Sequence, residues 1–214
     1  MKPRDAATLF IVRRDGPKPR VLMGKRHGGH DFMPNLWVFP GGRIDRADFH
    51  APYATDLRPD VAGRFEAHIP MVKARALGLA AIRETFEEAG LLLAKPVEPR
   101  PLAGPWRDFL AHGAAADLAA LSIVYRAVTP PMLAKRYDTW FLMADAEALV
   151  SLERQPDCGE LEEIAWFEFE EALELKLPMV TRSVITEVIA RLDEPDRPIP
   201  YMRFRSGPTK PRIL

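Results

Sequence analysis

The chain has 214 residues, enough for one domain of ordinary to large size, and its 47% hydrophobic and 28% charged residues exclude a disordered or fibrous protein. Thirty Lys and Arg balance thirty Asp and Glu, which argues against a general nucleic-acid binder. The single cysteine, Cys158, excludes an internal disulfide and a cysteine-rich zinc site, and it fits a reducing compartment.

The first apolar run, Ala6–Val12, is broken by Thr8 and is too short to span a membrane. It is also followed by no signal-peptide cleavage pattern, so a soluble intracellular protein is expected. Ala7–Arg13 and Arg20–Lys25 read as strands around the turn Arg14-Asp15-Gly16-Pro17. Leu36–Phe39 is a third short strand, stopped by Pro40-Gly41-Gly42. A polar, proline-containing stretch leads to Met71–Ala89, the clearest helix, which Gly90 ends in the position that favours a left-handed cap. Pro105–His112 and Ala114–Leu121 read as two further helices. Ser122–Val128, Tyr137–Ala144 and Leu161–Phe167 read as strands, and Pro178–Leu192 as a closing helix. Intermixed strands and helices predict one α/β domain over residues 1–196. Residues 197–214 carry five cations and no acid, which predicts a solvated, basic, Pro-rich tail or a strap near an anionic ligand.

The long helix carries the chemistry. At about 100° per residue, Glu84, Glu87 and Glu88 share an arc of roughly 100°, and Leu79, Ile82, Phe86 and Ala89 centre on the opposite side. Such a face repels itself, because Glu84 and Glu88 are a like-charge i,i+4 pair and only Arg83 offers local compensation. A hard divalent cation relieves that repulsion and leaves room for substrate phosphates; a solvated acidic face is the alternative. Upstream, Gly41-Gly42 after a strand permits close backbone approach to a ligand or metal.

Together, Gly42 and Arg83-Glu84-x-x-Glu87-Glu88-x-Gly90-Leu91 resemble the signature of the Nudix hydrolases. The resemblance implies an α/β/α sandwich with a mixed sheet and with an insertion inside the loop-helix-loop motif. The sequence departs from the pattern at Asp48, where a glutamate is usual, and at Thr85, where an aliphatic residue is usual. In addition, 34 residues separate Asp48 from Arg83, an insertion of about residues 49–71.

Residue by residue, the resemblance implies Mg²⁺ or Mn²⁺ held chiefly by Glu87 and Glu88, with Glu84 as a ligand, a general base or both. Arg83 is then the holder of the glutamates, and the Gly41 carbonyl is a backbone ligand. Glu160, six residues before Trp166, is an additional ligand or base, with Glu163 as the fallback. Candidate substrate contacts are Arg26 and, in the insertion, Phe49 and Tyr53. Arg58, Arg64, Phe65 and His68 add to a mixture able to wall an aromatic or phosphate-bearing ligand.

The insertion, with Phe32–Asn35, Thr129-Pro130-Pro131 and Arg136–Phe141, resembles the coenzyme A diphosphatase branch. The implied substrate is a small nucleoside diphosphate derivative, coenzyme A or acyl-CoA, cleaved to adenosine 3′,5′-bisphosphate and (acyl-)phosphopantetheine. ADP-ribose, NADH or a dinucleotide polyphosphate is the second substrate reading, and a non-catalytic nucleotide sensor is the reading from another class. A homodimer is possible, with no nucleic-acid or membrane partner. The C-terminal Arg-Ile-Leu is not a peroxisomal address, which leaves the cytoplasm. His27-Gly-Gly-His30 reads as a glycine-rich turn, Cys158 as no nucleophile, and Trp106, Trp140 and Trp166 as core.

Overall fold

The computed structural model describes residues 2–27, 35–98, 103–155, 161–203 and 212–214. The first half runs β1 (Arg4–Arg13), β2 (Arg20–Arg26), β3 (Trp37–Val38), β4 (Gly41–Arg43), β5 (Tyr53–Thr55), α1 (Pro59–Glu66) and α2 (Met71–Ala89). It continues with β6 (Ala94–Pro96), α3 (Arg107–Leu110), β7 (Ala114–Asp117), β8 (Ser122–Val128) and β9 (Tyr137–Asp145). The chain closes with β10 (Leu161–Glu168), α4 (Phe169–Glu174), α5 (Met179–Asp193), β11 (Pro200–Arg203) and β12 (Arg212–Ile213).

Successive side chains on a strand point to opposite faces, and β1 is apolar on both. Ala7, Leu9 and Ile11 enter one core cluster with Leu79, Ile82 and Phe86 of α2. Phe10 and Val12 enter the other with Val184, Ile185 and Val188 of α5. On β9, Trp140 and Leu142 repeat the first face, and Phe141 the second. A sheet buried on both sides, with a helix on each, is the α/β/α sandwich that the resemblance implies.

The main sheet has the order β10-β2-β1-β9-β8-β11-β12, with β3 beside β2 and β4 beside β1. Its centre is parallel, β1 against β9 from Arg4↔Tyr137 to Val12↔Asp145, and β2 and β8 flank that pair antiparallel. Among the described residues no helix is long and apolar enough to cross a membrane.

Three expectations are corrected. First, Ala114–Leu121 is not a helix: Ala114–Asp117 is strand β7, followed by a single 3₁₀ turn over Leu118–Ala120. Alanine favours a helix intrinsically, but here β7 is buried throughout and pairs with both β5 and β6. Second, the tail is not wholly solvated, because β11 pairs parallel with β8 at Tyr201↔Arg126 and Met202↔Ala127. The Arg126 guanidinium lies between the rings of Trp140 and Tyr201, 4.6 and 4.9 Å from their centroids.

Third, the insertion is not a wall of the cleft described below. Strand β5 joins the small sheet with β7, and the Ala119 N–H donates to Thr55 Oγ1 at 3.0 Å. Val61 and Phe65 of α1 are buried, and the Phe65 ring lies 4.8 Å from that of Trp140. Amphipathic α1 has a buried face, and burying it against α2 and β9 is what orders the segment. Phe65→Ala is therefore expected to cost about 3–5 kcal/mol, the usual cost of emptying an aromatic core site. Urea unfolding checks this; a loss below about 1 kcal/mol would mean that the insertion folds apart from the core.

Candidate active site

Helix α2 starts after Pro70 and stops at Gly90, whose φ of 67° provides the left-handed cap and whose N–H donates to Phe86 O at 2.8 Å. Replacing Gly90 is blocked twice, since a Cβ there also meets the Gln155 backbone at 2.8 Å. The helix does not simply bury one stripe and expose the glutamates, as its sequence predicts. Arg83, Thr85 and Glu88 are buried as well, because β1 and β4 pack against it together with the 3₁₀ turn Arg46–Phe49. Thr85, out of pattern for the signature, satisfies its hydroxyl by donating to Ala81 O at 2.8 Å.

Arg83 organises this end of the helix. Its Nε donates to Asp48 Oδ1 at 2.9 Å, and Nη2 donates to Asp48 Oδ2 and to Arg43 O, both at 3.1 Å. Nη1 donates to Glu84 Oε1 at 2.9 Å and to Glu87 Oε2 at 2.8 Å. All five guanidinium N–H groups thus have acceptors. Burial by itself pulls the Arg83 pKa down, but the Asp48 hydrogen bonds and the charges of Glu84, Asp48 and Glu87 outweigh it and hold it above the ordinary arginine value.

Asp48, fully buried, also accepts from the Asp45 N–H at 2.7 Å and from the Trp106 indole N–H at 2.9 Å. The residue that departs from the signature is therefore the main counter-ion of the signature arginine. The sequence marks Asp48 by its spacing, but Trp106 carries no local signal for this role, since it lies beyond the helix and reads as core.

The Gly-Gly turn meets the helix at contact distance. A Cβ on Gly42 comes within 2.4 Å of Glu84 Cδ, and one on Gly41 within 2.6 Å of Ala7 O. The Gly41 N–H donates to Glu88 Oε2 at 2.9 Å. These close approaches, rather than a turn, explain both glycines.

Glu84, Glu87 and Glu88 open into a cleft of about 850 Å³. Arg4, Arg26, Arg43, Lys135 and Arg136 also line it, a surplus of cations over carboxylates. Its floor is the sheet: Ala6 and Thr8 on β1, Thr139 and Phe141 on β9, and Ala127 on β8. Burial pushes the Glu87 carboxyl above its usual range; Arg83 opposes that shift and Glu84 adds to it.

Arg26 lines the same cleft as the glutamates, and Phe49 and Tyr53 do not. Each of the latter is 40% exposed and neither lines the cleft, because the insertion docks on the α2 face of the sheet and the cleft opens on the α5 face. Glu160 lies outside the described residues. Its fallback, Glu163, is engaged at the surface by Lys25 Nζ at 2.6 Å.

Two expectations follow for metal-free protein. Trp106→Phe keeps an aromatic ring but trims a fully buried indole and removes one donor to a buried carboxylate, so a loss of at least about 1–3 kcal/mol is expected on urea unfolding. An unchanged midpoint would show that the indole N–H does not support Asp48. Glu87 carries the opposite sign. A carboxyl whose pKa is raised on folding opposes folding once ionised, a penalty absent below its unfolded pKa and complete above its folded one. Glu87→Gln is expected to match or exceed wild-type Tm at neutral pH, with the advantage shrinking as acid protonates the wild type. A variant several degrees less stable at neutral pH would contradict this.

No family model matches the chain. The acyl-coenzyme A diphosphatase NUDT19 of Gallus gallus is 33% identical over 48% of this chain and 35% of that protein. Its Xenopus laevis counterpart is 34% identical over 36% of this chain and 26% of that protein, so the match spans about a third or less of these relatives' length. The crystal structure of a NUDIX hydrolase from Alicyclobacillus acidocaldarius is similar with a TM-score of 0.64 and 27% identity, covering 89% of this chain and 92% of that one. Signature, fold and relatives agree in one resemblance, to the Nudix hydrolases and among them to the acyl-coenzyme A diphosphatase branch.

Proposed function

We propose that the cleft hydrolyses the diphosphate linkage of a nucleoside diphosphate derivative, coenzyme A or an acyl-CoA before others, with Mg²⁺ or Mn²⁺. The observation that carries this reading is one cavity lined by three glutamates, five cations and an apolar wall. It suits a multiply anionic ligand that also carries an uncharged arm.

Among the described residues no three acidic, histidine or cysteine side chains converge as a ready-made ion cage. Glu84 and Glu87 each lend one oxygen to Arg83, and Glu88 lends one to the Gly41 N–H. The donor set still fits Mg²⁺, which takes one or two carboxylates, keeps several waters and shares substrate phosphates. Glu87 and Glu88 are the proposed principal ligands, with Glu84, the Gly41 carbonyl and Glu160 as further ones. Such an ion, when bound, neutralises diphosphate oxygens and lowers the pKa of a bound water.

The chain's own residues supply position and proton transfer. Glu84, held against Gly42, accepts the proton of the attacking water. Arg83 keeps Glu84 and Glu87 at fixed separation, and Asp48 holds the Arg83 guanidinium in place behind them. Arg4, Arg26 and Arg43 balance the phosphate charge at the cleft wall. A sensor without activity has no use for the complete glutamate set.

The test is a panel of CoA, acyl-CoAs, ADP-ribose and NADH with Mg²⁺ and with Mn²⁺. Adenosine 3′,5′-bisphosphate is expected from CoA and its esters, with turnover lost by orders of magnitude in Glu87→Gln. Near-native turnover of that variant at saturating Mg²⁺ would remove Glu87 from the metal site. Preferential cleavage of ADP-ribose or NADH would replace CoA as the substrate.

A further inference from the structure

Helix α5 begins at the cleft, and its start is uncapped. Pro178, at φ −58° and ψ 148°, is the N-cap and supplies no side-chain hydrogen bond. The first N–H groups of an α-helix have no partner within it. Here the first backbone bond runs from Arg182 N–H to Pro178 O at 3.1 Å, and among the described residues the N–H groups of Met179, Val180 and Thr181 donate to nothing. Pro178, Met179, Val180 and Thr181 all line the cavity that holds the three glutamates, and the first turn of α5 carries no acid.

A helix start that faces water can satisfy itself with solvent, so these N–H groups alone mark no site. Thr181 supplies the second observation. It is 4% exposed, it lines the cleft, and among the described residues its hydroxyl has no hydrogen-bond partner. Further along the same helix, the Ser183 and Thr186 hydroxyls donate to the carbonyls four residues earlier, Met179 O at 3.2 Å and Arg182 O at 3.0 Å. The residue four before Thr181 is Leu177, which lies outside the helix. A buried hydroxyl without a partner costs free energy, and a ligand oxygen in the cleft removes that cost.

The mount is firm. Trp37 N–H donates to Lys176 O at 3.1 Å and so ties the segment before α5 to β3, and Val180 packs against the core cluster of Phe10, Phe39 and Val184. Three N–H groups and a hydroxyl within one helical turn exceed the two oxygens of a carboxylate and suit the terminal oxygens of a phosphate monoester. The helix dipole favours such an anion at this end. The glutamates that hold the metal-bound diphosphate in the proposed reading sit on a different helix, so α5 meets a second anionic group. In a nucleoside diphosphate derivative, the ribose beside the diphosphate has hydroxyls that can carry that group within one cavity of about 850 Å³. We infer that the N-terminus of α5, with the Thr181 hydroxyl, is a subsite for a ribose-bound phosphate monoester and sets a preference for ligands that carry it over otherwise identical ones. The inference rests on the reading that the diphosphate lies at the glutamates.

The experiment measures equilibrium binding to metal-free protein in EDTA for two pairs that differ by one ribose phosphate, CoA against dephospho-CoA and NADPH against NADH. Thr181→Val keeps the side-chain shape and removes the hydroxyl. Met179→Pro removes one N–H at a helix position that accepts proline. The two variants act on different donors, so a folding defect in one leaves the other as the test. In wild type the phosphorylated member of at least one pair is expected to bind about tenfold or more tightly, the worth of charge-assisted hydrogen bonds. Each folded variant is expected to lower that ratio by about threefold or more. Ratios near one in both pairs, or no binding by any of the four ligands, would overturn the subsite. A wild-type ratio retained in the folded variants would place phosphate recognition on other residues and also overturn it. Turnover with Mg²⁺ and with Mn²⁺ separates this from the diphosphatase reading. A binding preference without cleavage of any of the four ligands would leave the subsite standing and remove that reading. Equal cleavage within both pairs, with binding ratios near one, would do the reverse.

Discussion

The buried pair between Arg83 and Asp48 is the interaction on which the site depends. Two charges removed from water carry a desolvation penalty of several kcal/mol each, and only complete hydrogen bonding offsets it. That condition is met here, because every guanidinium N–H is used and the Asp48 carboxylate accepts from Arg83, Asp45 and Trp106. The penalty for losing any partner ties together three distant segments: the 3₁₀ turn Arg46–Phe49, the C-terminal half of α2 and the start of α3. The glutamates are therefore positioned by a charge behind them rather than by contacts with one another, and their mutual repulsion is countered without blocking the side that faces the cleft.

The cleft itself arises from a change of residue size on one sheet face. Along β1 the α5 side carries Ala6 and Thr8 and then Phe10 and Val12; along β8 it carries Tyr125 and then Ala127. Where the side chains are large, α5 packs on them. Where they are small, the face stays open, and the register Ala6↔Thr139 and Thr139↔Ala127 aligns the small residues across three strands. The opening then meets the carboxylate end of α2 at the Gly-Gly turn, since Gly41 pairs with Thr8 and only a residue without a Cβ lets Glu84 lie against Gly42.

Much of this was legible in the residues taken in order. The helix Met71–Ala89, its Gly90 stop and the grouping of Glu84, Glu87 and Glu88 follow from a period of about 3.6 residues and a cap, both local properties. The central strands follow from apolar runs between turn residues. Two of the misread segments share one cause. Ala114–Asp117 has local helix propensity and non-local strand partners; β11 has a composition that reads as solvated and a partner strand in β8. In both, pairing with a distant strand outweighed the local preference.

The amino-acid sequence by itself therefore determined the fold class, the long helix and the grouping of three carboxylates on it, because periodicity, caps and spacing are written along the chain. Tertiary structure alone decided which residues meet. It assigned Phe65 to the core and left Phe49 and Tyr53 outside the cleft; it set Trp106 on Asp48, and it brought Arg4, Lys135 and Arg136 to the glutamates. Those contacts join positions tens of residues apart, and their energies depend on burial and on partners that no local window contains.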